Sequence, residues 1–167
     1  MPSGLAEELS DVYEQELAPV WRFVRARVPG HADAEDLTSE VFARAARGWG
    51  RYDERRGSVR AWLLGIAHHV VTDWWRRRSR EVPSDEVGSV AGSAPSPEAA
   101  TIERAELEEL RRHLGELTDK ERSAVALRFG AGLRAAEAGA ILGVSETAVR
   151  MLVYRAVSKL RGVMAID

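Results

Sequence analysis

The chain has 167 residues, 45% of them apolar and 30% charged, with a formal net charge of −2 and no cysteine. That composition excludes disorder throughout the chain, and the missing cysteines exclude disulfides, thiolate zinc sites and cysteine nucleophiles. No apolar run approaches the roughly 18 residues of a membrane span, and MPSGLAEELSDVYEQEL lacks the basic start and apolar stretch of a secretory signal, so a cytoplasmic protein without membrane insertion is expected.

In chain order, Leu9, Val12, Tyr13, Val20, Phe23, Val24 and Val28 recur at helical spacing and predict a first helix. Pro29-Gly30 stops it, and Pro19 should kink or divide it. Leu37, Val41 and Ala45 predict a second helix from about Asp33. Its broad polar face carries Asp36, Ser39, Glu40, Ala43, Arg44 and Arg47. The polar loop GRYDERRGS follows, with arginines and two glycines, and is expected to be mobile enough to fold around a ligand.

A third helix is predicted from about Ser58 to Arg78 and takes in most of HHVVTDWWRRRSR, residues 68–80. On a helical wheel Leu63, Ile66, Ala67, Val70 and Trp74 form an apolar stripe. Trp62, His69, Asp73, Arg76 and Arg80 line a second sector that joins aromatic, polar and guanidinium groups. Such a surface suits single-stranded nucleic acid, because bases stack on rings for roughly 1–3 kcal/mol each while arginines hold the phosphates. Trp62 fits either a core or a stacking role, and Asp73 is in reach of Arg76 or Arg77. His68 and His69 point about 100° apart with no histidine at i+4, so no metal is called for.

From Glu81 the sequence turns acidic and rich in proline, glycine and serine, with no helical or strand period. It predicts a flexible linker over 81–103 between two small helical modules, 8–80 and 104–163, in an all-α chain whose halves are free to sit apart. The second module offers helices over 104–114, 119–129, 134–141 and 146–161.

The segment RAAEAGAILGVSETAVRMLVYRAVSKLR has the layout of a helix-turn-helix. Gly143 permits the turn and Ser145 caps the last helix. Val149, Leu152, Val153, Ala156 and Leu160 share one face; Thr147, Arg150, Met151, Tyr154, Arg155 and Ser158 lie on the other. Ser145 and Thr147, near the helix start, suit phosphate contacts, and Arg150 and Arg155 reach base edges or phosphates. No acid–base pair, nucleophile constellation or phosphate loop points to catalysis, and no cofactor is implied. The absence of a long a/d heptad run argues against an autonomous duplex-binding regulator, which would need a dimerisation helix.

In this order, DAEDLTSEVFARA, WLLGIAHHVVTDWWRRR and LTDKERSAVALRFGAGLRAAEAGAILGVSETAVRMLVYRAVSKLR resemble regions 2.2, 2.3–2.4 and 4 of the bacterial extracytoplasmic-function sigma factors. The resemblance implies a non-enzymatic subunit of RNA polymerase that directs promoter-specific initiation. Asp36, Leu37, Glu40, Phe42 and Arg44 would dock on the clamp coiled coil of the largest polymerase subunit, and region 4 on the flap. Arg55, Arg56, Ser58, Trp62, His69, Asp73, Arg76, Arg77 and Arg80 would hold the melted −10 strand. Ser145, Thr147, Arg150, Met151, Tyr154, Arg155 and Lys159 would contact the −35 duplex, and an anti-sigma factor would be a further partner. Two departures stand out. His69 replaces the family's usual asparagine, and Ala135, Ala138 and Gly139 thin the first helix of the helix-turn-helix, which predicts a less rigid region 4.

Overall fold

A computed structural model describes residues 3–81, 109 and 111–164. Helix α1 spans Ser3–Arg27, α2 His31–Gly48 and α3 Val59–Glu81, with two single 3-10 turns, Trp49–Arg51 and Glu54–Arg56, between α2 and α3. Helix α4 spans Asp119–Val125 and runs into a π-helical turn, Ala126–Gly130; α5 spans Ala135–Leu142 and α6 Glu146–Met164. The described residues contain no strand, and the chain is all-α. Most of the predicted linker lies outside the described residues; Glu81, its first position, ends α3.

Helix α1 continues through Pro19 instead of dividing there. Its lower half buries Val20, Phe23 and Val24 completely, and that burial outweighs the one backbone hydrogen bond a proline removes. Arg25 closes its C-terminus by donating to the Val28 and Pro29 carbonyls at 3.0 and 2.8 Å. Helix α2 begins two residues before the expected start, on a Gly30 cap with no side-chain bond. It buries Ala34, Leu37, Thr38, Val41 and Ala45. Ser58 opens α3 by accepting the Ala61 N–H at 3.1 Å, and Leu63, Leu64, Ala67, Val70 and Val71 fill the centre of the three-helix module. Trp74 packs at the edge of that core and is only half-buried.

In the second module Thr118 and Glu121 cap α4 reciprocally, each side chain accepting the other's backbone N–H. The helix-turn-helix bends at Gly143 in the left-handed conformation (φ 68°). The small residues before it have a steric reason. A Cβ on Gly139 would lie 2.6 Å from the Val144 carbonyl oxygen, so the turn crosses directly over this position and only glycine fits. Ala135 and Ala138 are buried in the core. The packing is close there, and the expected thinning is not what the side chains do.

The two modules do not sit apart. Helix α1 packs against α4 and the π-helical turn, and α3 packs against α5. Leu127, Ala131, Leu133, Ala135 and Ala138 belong to the same continuous core as Phe23, Leu63 and Val70. Polar contacts cross the seam: Arg22 Nε donates to the Gly130 carbonyl at 2.7 Å, Arg27 Nη1 to Asp119 Oδ1 at 3.2 Å, and Arg60 Nη1 to the Ala131 carbonyl at 3.3 Å. The physical reason is that the apolar face of residues 126–138 finds its cover on α1 and α3.

Candidate polymerase and nucleic-acid interfaces

On α2, Asp36 is exposed and Glu40 and Arg44 are partly exposed on the polar face. Glu40 accepts from Arg44 Nε at 2.8 Å and lies 3.6 Å from Arg47; the hydrogen bond from Arg44 holds its carboxyl below the usual range. Arg44 also reaches Asp73 of α3 at 3.9 Å, and Asp73 lies 3.7 Å from Arg76. One string of alternating charge thus runs from the α2 face to the α3 basic end. Phe42 is half-buried and meets Tyr13 edge-on, ring centroids 4.8 Å apart, so Tyr13 of α1 extends this surface. Leu37 differs from its expected role. It is 7% exposed and points into the core, so its contribution is to seat α2 and not to touch a partner.

The loop after α2 carries its own hydrogen bonds. Asp53 accepts the Arg55 N–H at 3.0 Å, its carbonyl accepts the Arg56 N–H at 3.0 Å, and the Tyr52 hydroxyl donates to the Gly57 carbonyl at 3.1 Å. Beneath it Trp49, Tyr52 and Trp62 form a mutual cluster with centroids 5.4, 5.9 and 5.3 Å apart. Trp62 therefore shares both proposed characters: it packs on the core and on two rings while keeping a partly open edge. Arg55, Arg56 and Ser58 are exposed, and Ser58 Oγ also lies 3.4 Å from Glu137 of α5. The spacing Trp-x-x-Tyr where α2 gives way to the loop was the available signal for Trp49 and Tyr52.

Farther along α3, His69, Arg76, Arg77 and Arg80 are exposed and Asp73 is half-exposed, so the predicted sector forms a single outward strip. Arg78 lies over the Trp74 ring at 4.9 Å, and Trp75 Nε1 donates to the Arg27 carbonyl at 3.0 Å. Both tryptophans are therefore tied into the module. His68 is half-buried; burial and then the neighbouring Arg27 charge push its pKa down.

On α6, Val149 and Ala156 are fully buried, and Thr147, Arg150, Met151, Tyr154 and Arg155 project outward together. Met151 and Tyr154 are 47% and 68% exposed, an apolar cost that a merely solvated face would not carry. Ser145 Oγ accepts the Ala148 N–H at 3.0 Å, and Arg150 pairs with Glu146. Lys159 lies apart from this group, with its ammonium on the buried Glu121.

Residues 12–81 match the sigma-70 region 2 family and residues 113–162 match sigma-70 region 4. The fold and the order of its two modules define a protein of the sigma-70 class. The chain is 34% identical over 167 residues to the ECF RNA polymerase sigma factor BldN of Streptomyces coelicolor, covering 99% of this chain but 63% of that relative's length. It is 33% identical to the ECF RNA polymerase sigma factor ShbA of Streptomyces griseus, over 81% of this chain and 74% of that one. The chain belongs to the extracytoplasmic-function sigma factors. Its fold is shared with the sigma factor RpoE of Bartonella quintana, solved in complex with the anti-sigma factor NepR, at a TM-score of 0.79 and 22% identity over 96% of this chain and 99% of that one. Among the described residues, no helix is long and apolar enough to cross a membrane.

Proposed function

We propose that this chain is a promoter-specificity subunit of bacterial RNA polymerase, acting by binding and not by catalysis, in the cytoplasm. The α2 face, with Asp36, Glu40, Phe42 and Arg44, docks on the clamp coiled coil, and region 4 on the flap. The loop arginines Arg55 and Arg56, with Ser58, Trp62, His69, Asp73, Arg76, Arg77 and Arg80, hold the melted −10 strand. The outer face of α6 reads the −35 duplex, with Arg150, Met151, Tyr154 and Arg155 toward the bases and Ser145 and Thr147 toward the phosphates. An anti-sigma factor that covers these surfaces is the natural inhibitor.

The observation that carries this reading is the presence, in one chain, of a ring-and-arginine strip suited to an open strand and a helix face suited to a closed duplex. The two surfaces cannot serve one promoter from the closed arrangement. Elements 25 base pairs apart are separated by about 85 Å of duplex. A compact chain of this size has a radius of gyration near 15 Å. The 27 residues from 82 to 108 can extend to about 90 Å, so the chain has the length to open on the polymerase.

The test is transcription in vitro with purified core polymerase on a pool of genomic fragments, with core alone as control. Initiation that depends on this chain, at sites sharing two elements, supports the reading. If core fails to bind the chain, the α2 docking surface is wrong and a duplex-binding regulator is the better account.

A further inference from the structure

Three rings and one hydroxyl lie beneath the 53–58 loop at the edge of the core, where Trp62 packs, and they set that loop's shape. Trp49, Tyr52 and Trp62 are each half-buried and in mutual contact. Tyr52 sits at the start of the loop, and its hydroxyl donates to the carbonyl of Gly57 at the end, closing residues 52–57 into a ring of backbone and side chain. Inside that ring the Asp53 carboxylate and carbonyl take the Arg55 and Arg56 N–H groups. The result is a small tip tied by its own hydrogen bonds. Arg55, with 90% of its side chain exposed, and Arg56 project from it, and Ser58 begins α3 directly behind.

We propose that Tyr52 is the positioning residue of strand capture: clasped to the Gly57 carbonyl over the Trp49–Trp62 pair, it fixes the loop in the shape that receives a base of the melted strand. This rests on the sigma-factor reading above and adds to it a residue that itself need not touch DNA. A loop held in its binding shape loses less conformational freedom when a strand arrives, so the clasp acts on capture and not on duplex contact. The rings supply the floor. The half-buried rings give an unstacked base an apolar support, while Arg55 and Arg56 meet the phosphates on either side. Burial, then the neighbouring Glu54 and Asp53 charges, raise the Tyr52 pKa, so the hydroxyl stays a donor throughout the neutral range.

Tyr52→Phe removes the clasp and keeps the ring. On a promoter from which wild-type holoenzyme initiates, three quantities are read: affinity for core by fluorescence anisotropy, lifetime of the melted complex after heparin challenge, and the penalty for each base change in the −10 element. The expected result is a lifetime shortened about fivefold, the ratio set by one neutral hydrogen bond, with a weaker base preference and unchanged core affinity. Trp49→Phe, which keeps a ring under the clasp, should retain most of the lifetime. A Tyr52→Phe protein with wild-type lifetime and base preference, or one that loses core affinity in the same proportion, overturns the proposal and leaves the hydroxyl a fold contact only. A wild-type chain that never initiates with core removes the sigma-factor reading as well, which distinguishes the two failures.

Discussion

The Lys159 ammonium lies 2.8 Å from the carboxylate of Glu121, whose side chain is 5% exposed. The same carboxylate accepts the Thr118 N–H at 3.0 Å, so one acid caps α4 and anchors α6 to it. A lysine held in this way orients α6 against α4 and has less of its charge to offer a polyanion. Lys159→Met is expected to destabilise region 4 by about 1.5 kcal/mol, the scale of a hydrogen bond to a charged group. It should leave the salt dependence of −35 binding nearly unchanged, whereas Arg155→Met should lower the salt slope without shifting the melting temperature. Thermal melts and filter binding at two or three salt concentrations check both.

Glu121 gives this contact a pH signature. Its pKa is held below 4.5, chiefly by the hydrogen bond from Lys159. A carboxyl depressed in the folded state adds stability above its unfolded pKa and loses it as pH falls through the folded value. Region 4 should therefore resist mild acid, and Lys159→Met should move its acid unfolding midpoint upward, read by circular dichroism.

Gly139→Ala is the sharper test of the helix-turn-helix. Helix propensity alone favours alanine by about 1 kcal/mol. The Val144 carbonyl oxygen, 2.6 Å from the added carbon, belongs to backbone and cannot swing aside. The variant should lose about 2 kcal/mol net, as overpacked sites do, and −35 binding with it. Gly65→Ala, with open space around the new carbon, is the control and should be neutral or stabilising.

What the sequence made legible, and what it hid, follows from the reach of periodicity. Apolar spacing located α1, α2, α3, α5 and α6 within a few residues, because each helix buries one stripe. It could not say what covers a stripe. Leu127 and Leu133 lie in what the sequence divides off as a second module, and they complete a core begun by Phe23 and Val24. Arg27 belonged to no pattern, since a buried arginine becomes meaningful only beside Asp119, 92 residues away. Leu37 went to the docking surface because family likeness assigns a helix, while burial distinguishes its faces. The outward face of α6 was readable for the opposite reason: Met151 and Tyr154 have no cause to be exposed in an isolated helix.

The basic end of α3 carries a prediction in salt. Arg76, Arg77 and Arg80 are exposed, and each phosphate they neutralise on a single strand contributes about 0.7 to the slope of log affinity against log salt. Changing all three to alanine should flatten the slope for strand binding by holoenzyme by about 2. Arg78 behaves differently. It lies 4.9 Å over the Trp74 ring, so Arg78→Ala should cost about 0.5 kcal/mol of stability and a smaller part of the slope. An unchanged slope in the triple variant would make the cluster a solubilising surface.

The last prediction concerns the seam between the modules. Arg27 is 6% exposed, and its partner Asp119 has 80% of its side chain in solvent, so the pair is screened on one side only. Burial lowers the Arg27 pKa and Asp119 opposes that, which makes the aspartate the group that lets the guanidinium remain buried and charged. His68 stands beside it, and its Nδ1 and the Arg27 Nε are both buried with no hydrogen-bond partner among the described residues. A histidine depressed below 6.5 in the folded chain is neutral at pH 7, and its contribution is lost as pH falls from 6.5 through the folded value. Protonation would then place a second positive charge against Arg27. Small-angle scattering of the free chain should give a radius of gyration near 15 Å at neutral pH, rising as the pH falls below 6.5. Asp119→Ala should open the chain already at neutral pH, and His68→Gln should remove most of the pH response. If the radius stays flat in both comparisons, the apolar contacts of Leu127 and Leu133 hold the modules together unaided, and only the polymerase surfaces can part them.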